Sequence, residues 1–130
     1  MNKEKIVNEI NKLSLDKDEF WVLGSSSLVL RGIINQANDI DLAITSKLYD
    51  ELVKKCELTY LGTNHNSKWY RISDSIECCV EEFNNKKVEL AEPFNLIDLE
   101  YYFNNFIKNS TREKDKVKQE LLENILCGKK

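Results

Sequence analysis

The sequence predicts an α/β (α+β) fold, a mixed sheet of about five strands covered by helices, with further helices at the C-terminus. Three observations carry that prediction. Apolar residues recur at helical spacing near both ends of the chain. Two short apolar runs, "FWVL" and "DIDLAI", have the length and composition of buried strands. From Glu57 to Glu82 the pattern switches to period two, the mark of half-buried strands.

Taken in order, Ile6, Val7, Ile10 and Leu13 share one face and predict a helix over residues 3–13. "FWVL" is a strand ending at Gly24, and Ser25 to Arg31 resumes helical character with Gly32 as a natural stop. "NQAN" is a polar loop before the strand "DIDLAI". Thr45 or Ser46 caps the helix "KLYDELVKKC". "ELTYL", "KWYRI" and "IECCVEEF" read as three strands joined by "GTNHNS" and "SDS", and "VELAEP" as a short extended piece. "LIDLEYYFNNFI" and "STREKDKVKQELLENIL" read as helices. Ser110 and Glu113 stand at capping-box spacing, and Val117, Leu121, Leu122 and Ile125 form the expected buried stripe of the last helix.

A chain of 130 residues predicts one domain, with the C-terminal helical segment over about residues 95–127. The net charge of −3, with no basic tract beyond Lys129-Lys130, argues against nucleic acid as the main partner. "MNKEKIVNEI" lacks the apolar core of a secretory signal, and no apolar run is long enough to span a bilayer. A cytoplasmic protein without a membrane partner is the expectation. Cys56, Cys78, Cys79 and Cys127 have no CxxC spacing and read as free thiols, Cys78 and Cys79 on opposite faces of their strand.

The stretch "LGSSSLVLRGIINQANDIDLAI" concentrates the chemistry. Asp39 and Asp41, at i and i+2 in a strand, place two carboxylates on one face. Like charges so close repel unless a cation lies between them, and oxygen-only ligation favours Mg²⁺ or Mn²⁺ over zinc. The turn at Gly24, Ser25 and Ser26 follows a strand and opens a helix, so its amides and hydroxyls can cradle phosphate. A cation site beside an anion site is what a nucleoside triphosphate needs. A P-loop is absent, and an EF-hand would want Asp or Asn where Ala43 stands. His65, the only histidine, reads as a solvated loop residue, Trp69 and Tyr70 as core, and Arg31 and Lys68 as surface charges. Asp-x-Asp on a solvated strand end and a Gly-Ser turn are each commonplace; their occurrence together, in this order, is what singles them out.

These residues resemble the signature of the nucleotidyltransferase superfamily, with its DNA polymerase β-like fold. The spacing and "LRG" look most like the small bacterial branch of lincosamide and aminoglycoside nucleotidyltransferases and AbiEii-like proteins, as does the Arg-x-Lys-Asp stretch at Arg112 to Asp115. The resemblance implies a third carboxylate on a neighbouring strand. Glu77 matches the apolar-acid-apolar pattern, Glu81 is the reserve, and Cys79 stands where some relatives carry an acid. It further implies that Asp39 and Asp41 bridge two Mg²⁺ ions, Glu77 completes one, and Ser25 with the Gly24 turn holds the β- and γ-phosphates. The expected activity is transfer of a nucleoside monophosphate to a hydroxyl of a small molecule or protein, with a homodimer as one way of completing the acceptor pocket. Two other readings stay open: an antitoxin-like module that binds or AMPylates a partner toxin, and a degenerate domain that binds nucleotide without transfer.

Overall fold

A computed structural model describes residues 1–128 of the chain. They form two compact units, one of Met1–Ile97 and one that begins at Asp98.

The first unit is built as α1 (Lys3–Asn11), β1 (Phe20–Leu23), α2 (Gly24–Leu30), β2 (Ile40–Ile44) and α3 (Ser46–Lys55), followed by β3 (Thr59–Asn64), β4 (Ser67–Arg71), β5 (Ile76–Val80), β6 (Val88–Glu89) and β7 (Leu96–Ile97). The strands lie in the order β3-β4-β5-β2-β1-β7-β6. Most pairs are antiparallel, but β2 runs parallel to β5 and β1 parallel to β7, so the sheet is mixed, as expected. It has seven strands rather than five. The two additions hold two residues each, too few to show alternation, and Leu96–Ile97 joins the sheet beside Val22 instead of starting a helix.

One face of the sheet supplies Phe20, Val22, Ile40, Leu42, Ile76 and Cys78 to a common core. Ile6 and Ile10 of α1, Val29 and Leu30 of α2, and Leu48 and Leu52 of α3 close over it. Removing such side chains from water is the main favourable term in folding, about 1.5–3 kcal/mol for each large one. Cys79 lies beside Ala43 in the register, on the face opposite Cys78, and both thiols are buried.

Caps fix the helix limits. The Lys5 N–H donates to Asn2 Oδ1 at 2.9 Å and the Leu48 N–H to Thr45 Oγ1 at 3.2 Å, so Thr45 rather than Ser46 caps α3. Helix α1 stops two residues short of Leu13, where Ser14 takes a positive φ of 52°. At the end of α2 the Gly32 N–H donates to the Val29 carbonyl and the Ile33 N–H to the Leu28 carbonyl, both at 2.9 Å. This Schellman pair requires the φ of +79° that Gly32 adopts. Arg31, just before it, is no surface charge: its side chain is 12% exposed and its Nη2 donates to Glu89 Oε2 at 2.6 Å and to the Ile97 carbonyl at 2.7 Å. It ties α2 to the two short strands.

The "GTNHNS" loop contracts to a two-residue hairpin turn, His65-Asn66, both at positive φ, between β3 and β4. Strand β3 is the outer edge, and its register slips between Tyr60 and Gly62. Tyr70 packs against Tyr49 and Tyr60 at 5.1 and 5.6 Å between ring centres, while Trp69 is only half-buried.

In the second unit the apolar run is not one helix. Asp98 caps α4 (Leu99–Tyr102), which passes into a π-helical turn, Phe103–Ile107, and a 3-10 turn, Glu113–Asp115, precedes α5 (Lys116–Gly128). The capping box is not formed. The Ser110 hydroxyl donates instead to the Asp115 carboxylate at 2.6 Å, and α5 begins beyond it. Leu122 is buried, and Leu121 and Ile125 half-buried, but Val117 is 67% exposed. It stands nearly opposite Leu122 on the helix, while Lys118, one turn from Leu122, takes the inner position. Asp115 is fully buried; burial pushes its carboxyl up, but the Ser110 hydroxyl and the Arg112 guanidinium, at 2.8 Å, outweigh it and hold it below the usual carboxylate range. Among the described residues, no helix is long and apolar enough to cross a membrane.

Two outcomes are expected. Gly32→Ala, with nothing within 4 Å to obstruct the new Cβ, costs about 1 kcal/mol through the positive φ alone, read from urea denaturation. The stability that Asp115 contributes is complete above the unfolded carboxylate value, about 3.9, and is lost as pH falls through its lowered folded value. Asp115→Asn therefore costs about 2 kcal/mol at neutral pH and removes part of the acid loss below about pH 4, read by circular dichroism melts across pH.

Candidate functional site

The site grows from the middle of the sheet. Strand β2 lies between β1, antiparallel, and β5, parallel. Directly paired residues share a face, so Leu23, Asp41, Glu77 and Arg71 form one row across β1, β2, β5 and β4. The next row along, Trp21, Ala43, Cys79 and Trp69, is its apolar neighbour. Trp21 is buried and meets Phe83 edge-on at 6.1 Å.

Gly24 opens α2 directly behind Leu23, with φ at +59°. A Cβ built on it would stand 3.4 Å from Asp41 Oδ2. The turn therefore lies close to the carboxylate, and its positive φ is what favours glycine there. The helix cap, Leu23, carries no side-chain oxygen for the first turn. Ser25 lies half-buried in that turn. Ser26 is buried, and its hydroxyl donates to the Asp39 carbonyl at 2.6 Å, tying α2 to the segment that leads into β2. Ser27 donates to the Gly24 carbonyl at 2.6 Å.

The structure thus brings together Gly24, Asp41 and Glu77. Asp39 stands apart from the expected strand position: β2 begins at Ile40, and Asp39 is exposed in the bend before it, so the pleat does not fix its side chain on Asp41's face. Glu81 lies just past β5, where its N–H donates to the Ile44 carbonyl at 2.9 Å. Its carboxylate accepts from the Cys79 thiol at 3.6 Å and pairs with Lys87 at 3.7 Å. Burial and the neighbouring Glu81 push the Cys79 thiol well up, and burial pushes Cys78 up to about 12. Burial thus holds both as neutral thiols. Cys56, Cys78, Cys79 and Cys127 are all free.

Sequence reasoning passed over Arg71. Its Nη2 lies 3.3 Å from Glu77 Oε2, on the side of β5 away from Asp41. The signal was present: Ile72 and Ile76 close the "SDS" turn, with the Ile72 N–H donating to the Ile76 carbonyl at 2.9 Å, and one step outward pairs Arg71 with Glu77.

Asp41 and Glu77 offer hard oxygen donors on strands about 4.8 Å apart, a chemistry suited to Mg²⁺ or Mn²⁺. Among the described residues no three ligating side chains converge to hold a metal ion. No family model, curated protein or solved structure matches the chain.

Because Gly24 holds a left-handed backbone, with φ at +59°, Gly24→Ala is expected to destabilise the fold by about 1 kcal/mol in urea denaturation, much as at Gly32.

Proposed function

We propose that the chain catalyses Mg²⁺-dependent transfer of a nucleoside monophosphate from a nucleoside triphosphate to a hydroxyl of a small molecule or protein. The observation that supports this reading best is the closeness of the Gly24 turn to Asp41, whose register partner is Glu77. A turn able to receive phosphate oxygens and a pair of carboxylates able to receive their counter-ion meet at one end of β2. The resemblance of "LGSSSLVLRGIINQANDIDLAI" to the nucleotidyltransferase signature supplies the reaction class.

In this reading Asp41 and Glu77 would hold the metal, with Asp39 as the further carboxylate that the resemblance implies. The bound ion supplies charge neutralisation of the triphosphate and acidifies the acceptor hydroxyl. The Gly24 and Ser25 amides orient the β- and γ-phosphates. The acceptor oxygen bonds to the α-phosphorus in line as the bond to pyrophosphate breaks, so the chain's share of catalysis is positioning and electrostatics. The net charge of −3 favours a neutral or cationic acceptor over nucleic acid. A cytoplasmic setting and a homodimer belong to the same proposal.

A second reading, nucleotide binding without transfer, draws support from the ion pair of Arg71 with Glu77, which engages the third carboxylate.

Titration calorimetry of each common nucleoside triphosphate, with Mg²⁺ and with EDTA, tests both. The expected result is Mg²⁺-dependent binding that Asp41→Asn weakens at least about tenfold, a loss of about 1.4 kcal/mol. Binding with no pyrophosphate release in the presence of candidate acceptors favours the second reading. Absence of heat with every triphosphate overturns both.

A further inference from the structure

We infer that Arg71 is a built-in counter-ion of the acidic row, and that a divalent cation and Arg71 compete for Glu77. The inference rests on the metal reading above and adds the residue that regulates it. Asp41, Glu77 and Arg71 lie side by side on one face of three adjacent strands, so Glu77 has a carboxylate neighbour on one flank and a guanidinium on the other. Its Oε2 lies 3.3 Å from Arg71 Nη2, and no three ligating side chains converge among the described residues. The charge of Glu77 is thus balanced from the β4 side, away from Asp41.

The pair is built to exchange. Arg71 is 50% exposed and Glu77 29%, and the contact is long and single rather than bidentate. Exposed pairs of this kind shift an equilibrium by no more than about fivefold, so a divalent ion can replace the guanidinium at little cost. Arg71 also opposes the ion directly, as a like charge a few ångströms away. Its removal should therefore strengthen cation binding, the opposite of what loss of a merely structural residue would do.

Mn²⁺ alone, titrated into the full chain and followed by the electron paramagnetic resonance of the free ion, tests this. Circular dichroism melts confirm that each variant is folded. Arg71→Gln is expected to bind Mn²⁺ about three- to tenfold more tightly than the parent. Arg71→Lys, which keeps the charge, should stay within about twofold of the parent. In a Glu77→Gln background the gain from Arg71→Gln should shrink, because part of it comes from freeing that carboxylate. Equal or weaker binding by Arg71→Gln, with Asp41→Asn still abolishing it, overturns the counter-ion role and leaves the metal site standing. No Asp41-dependent binding in either the parent or Arg71→Gln overturns the metal reading and this inference together.

Discussion

The placement of β2 between an antiparallel and a parallel neighbour governs the rest of the molecule. Antiparallel pairing with β1 sets Leu23 opposite Asp41, and the chain leaves β1 at once into Gly24. Parallel pairing with β5 sets Glu77 on Asp41's other side. Shifting β2 by one residue against either neighbour would turn Asp41 into the core and expose Ile40 or Leu42, both fully buried. The hydrophobic demand that closes the core is therefore the same demand that aims the carboxylates outward together. Site and core are two faces of one register.

Helix α2 connects these faces. Its start lies against Asp41, Ser26 fastens it to the backbone ahead of β2, and Arg31 at its end fastens it to β6 and β7. Val29 and Leu30 bury its inner side in the core. With seven residues, the helix is too short to be stable by itself, so its position is set by these anchors rather than by helical propensity. The turn is thereby held still for whatever charge it receives, a condition for any site that works by preorganised electrostatics.

Much of this was legible in the sequence, and what was not has identifiable causes. The central strands and the first three helices were readable because their apolar periods are strong and two of their caps, Thr45 and Gly32, are chemically specific. Strands of two residues have no period to read, so β7 was hidden and β6 showed only as the start of the short extended piece "VELAEP". In the second unit, two arrangements competed for the same residues. Ser110 could cap a helix or bond a buried acid, and the buried acid Asp115 took it, moving the start of α5 and turning Val117 outward. At the site, Asp41 stood out by its place inside an apolar run, and Glu77 by the third carboxylate that the resemblance implies. Asp39 was read as its equal because strand limits are uncertain by a residue, and one residue is enough to release a side chain from the pleat. The Arg71 partnership was hidden because it depends on turn symmetry rather than on composition.

The outer edge of the sheet has a bearing on how the molecule behaves in company. Thr59–Asn64 is uncharged from end to end, which would make it an inviting template for a passing extended chain. The slip at Leu61 and the φ of +125° at Gly62 interrupt the spacing of its outward amides and carbonyls. A newcomer could match only part of the border before falling out of step. Safeguards of this kind, which other proteins assign to lysine or proline, are here written into the backbone as a kink of one residue.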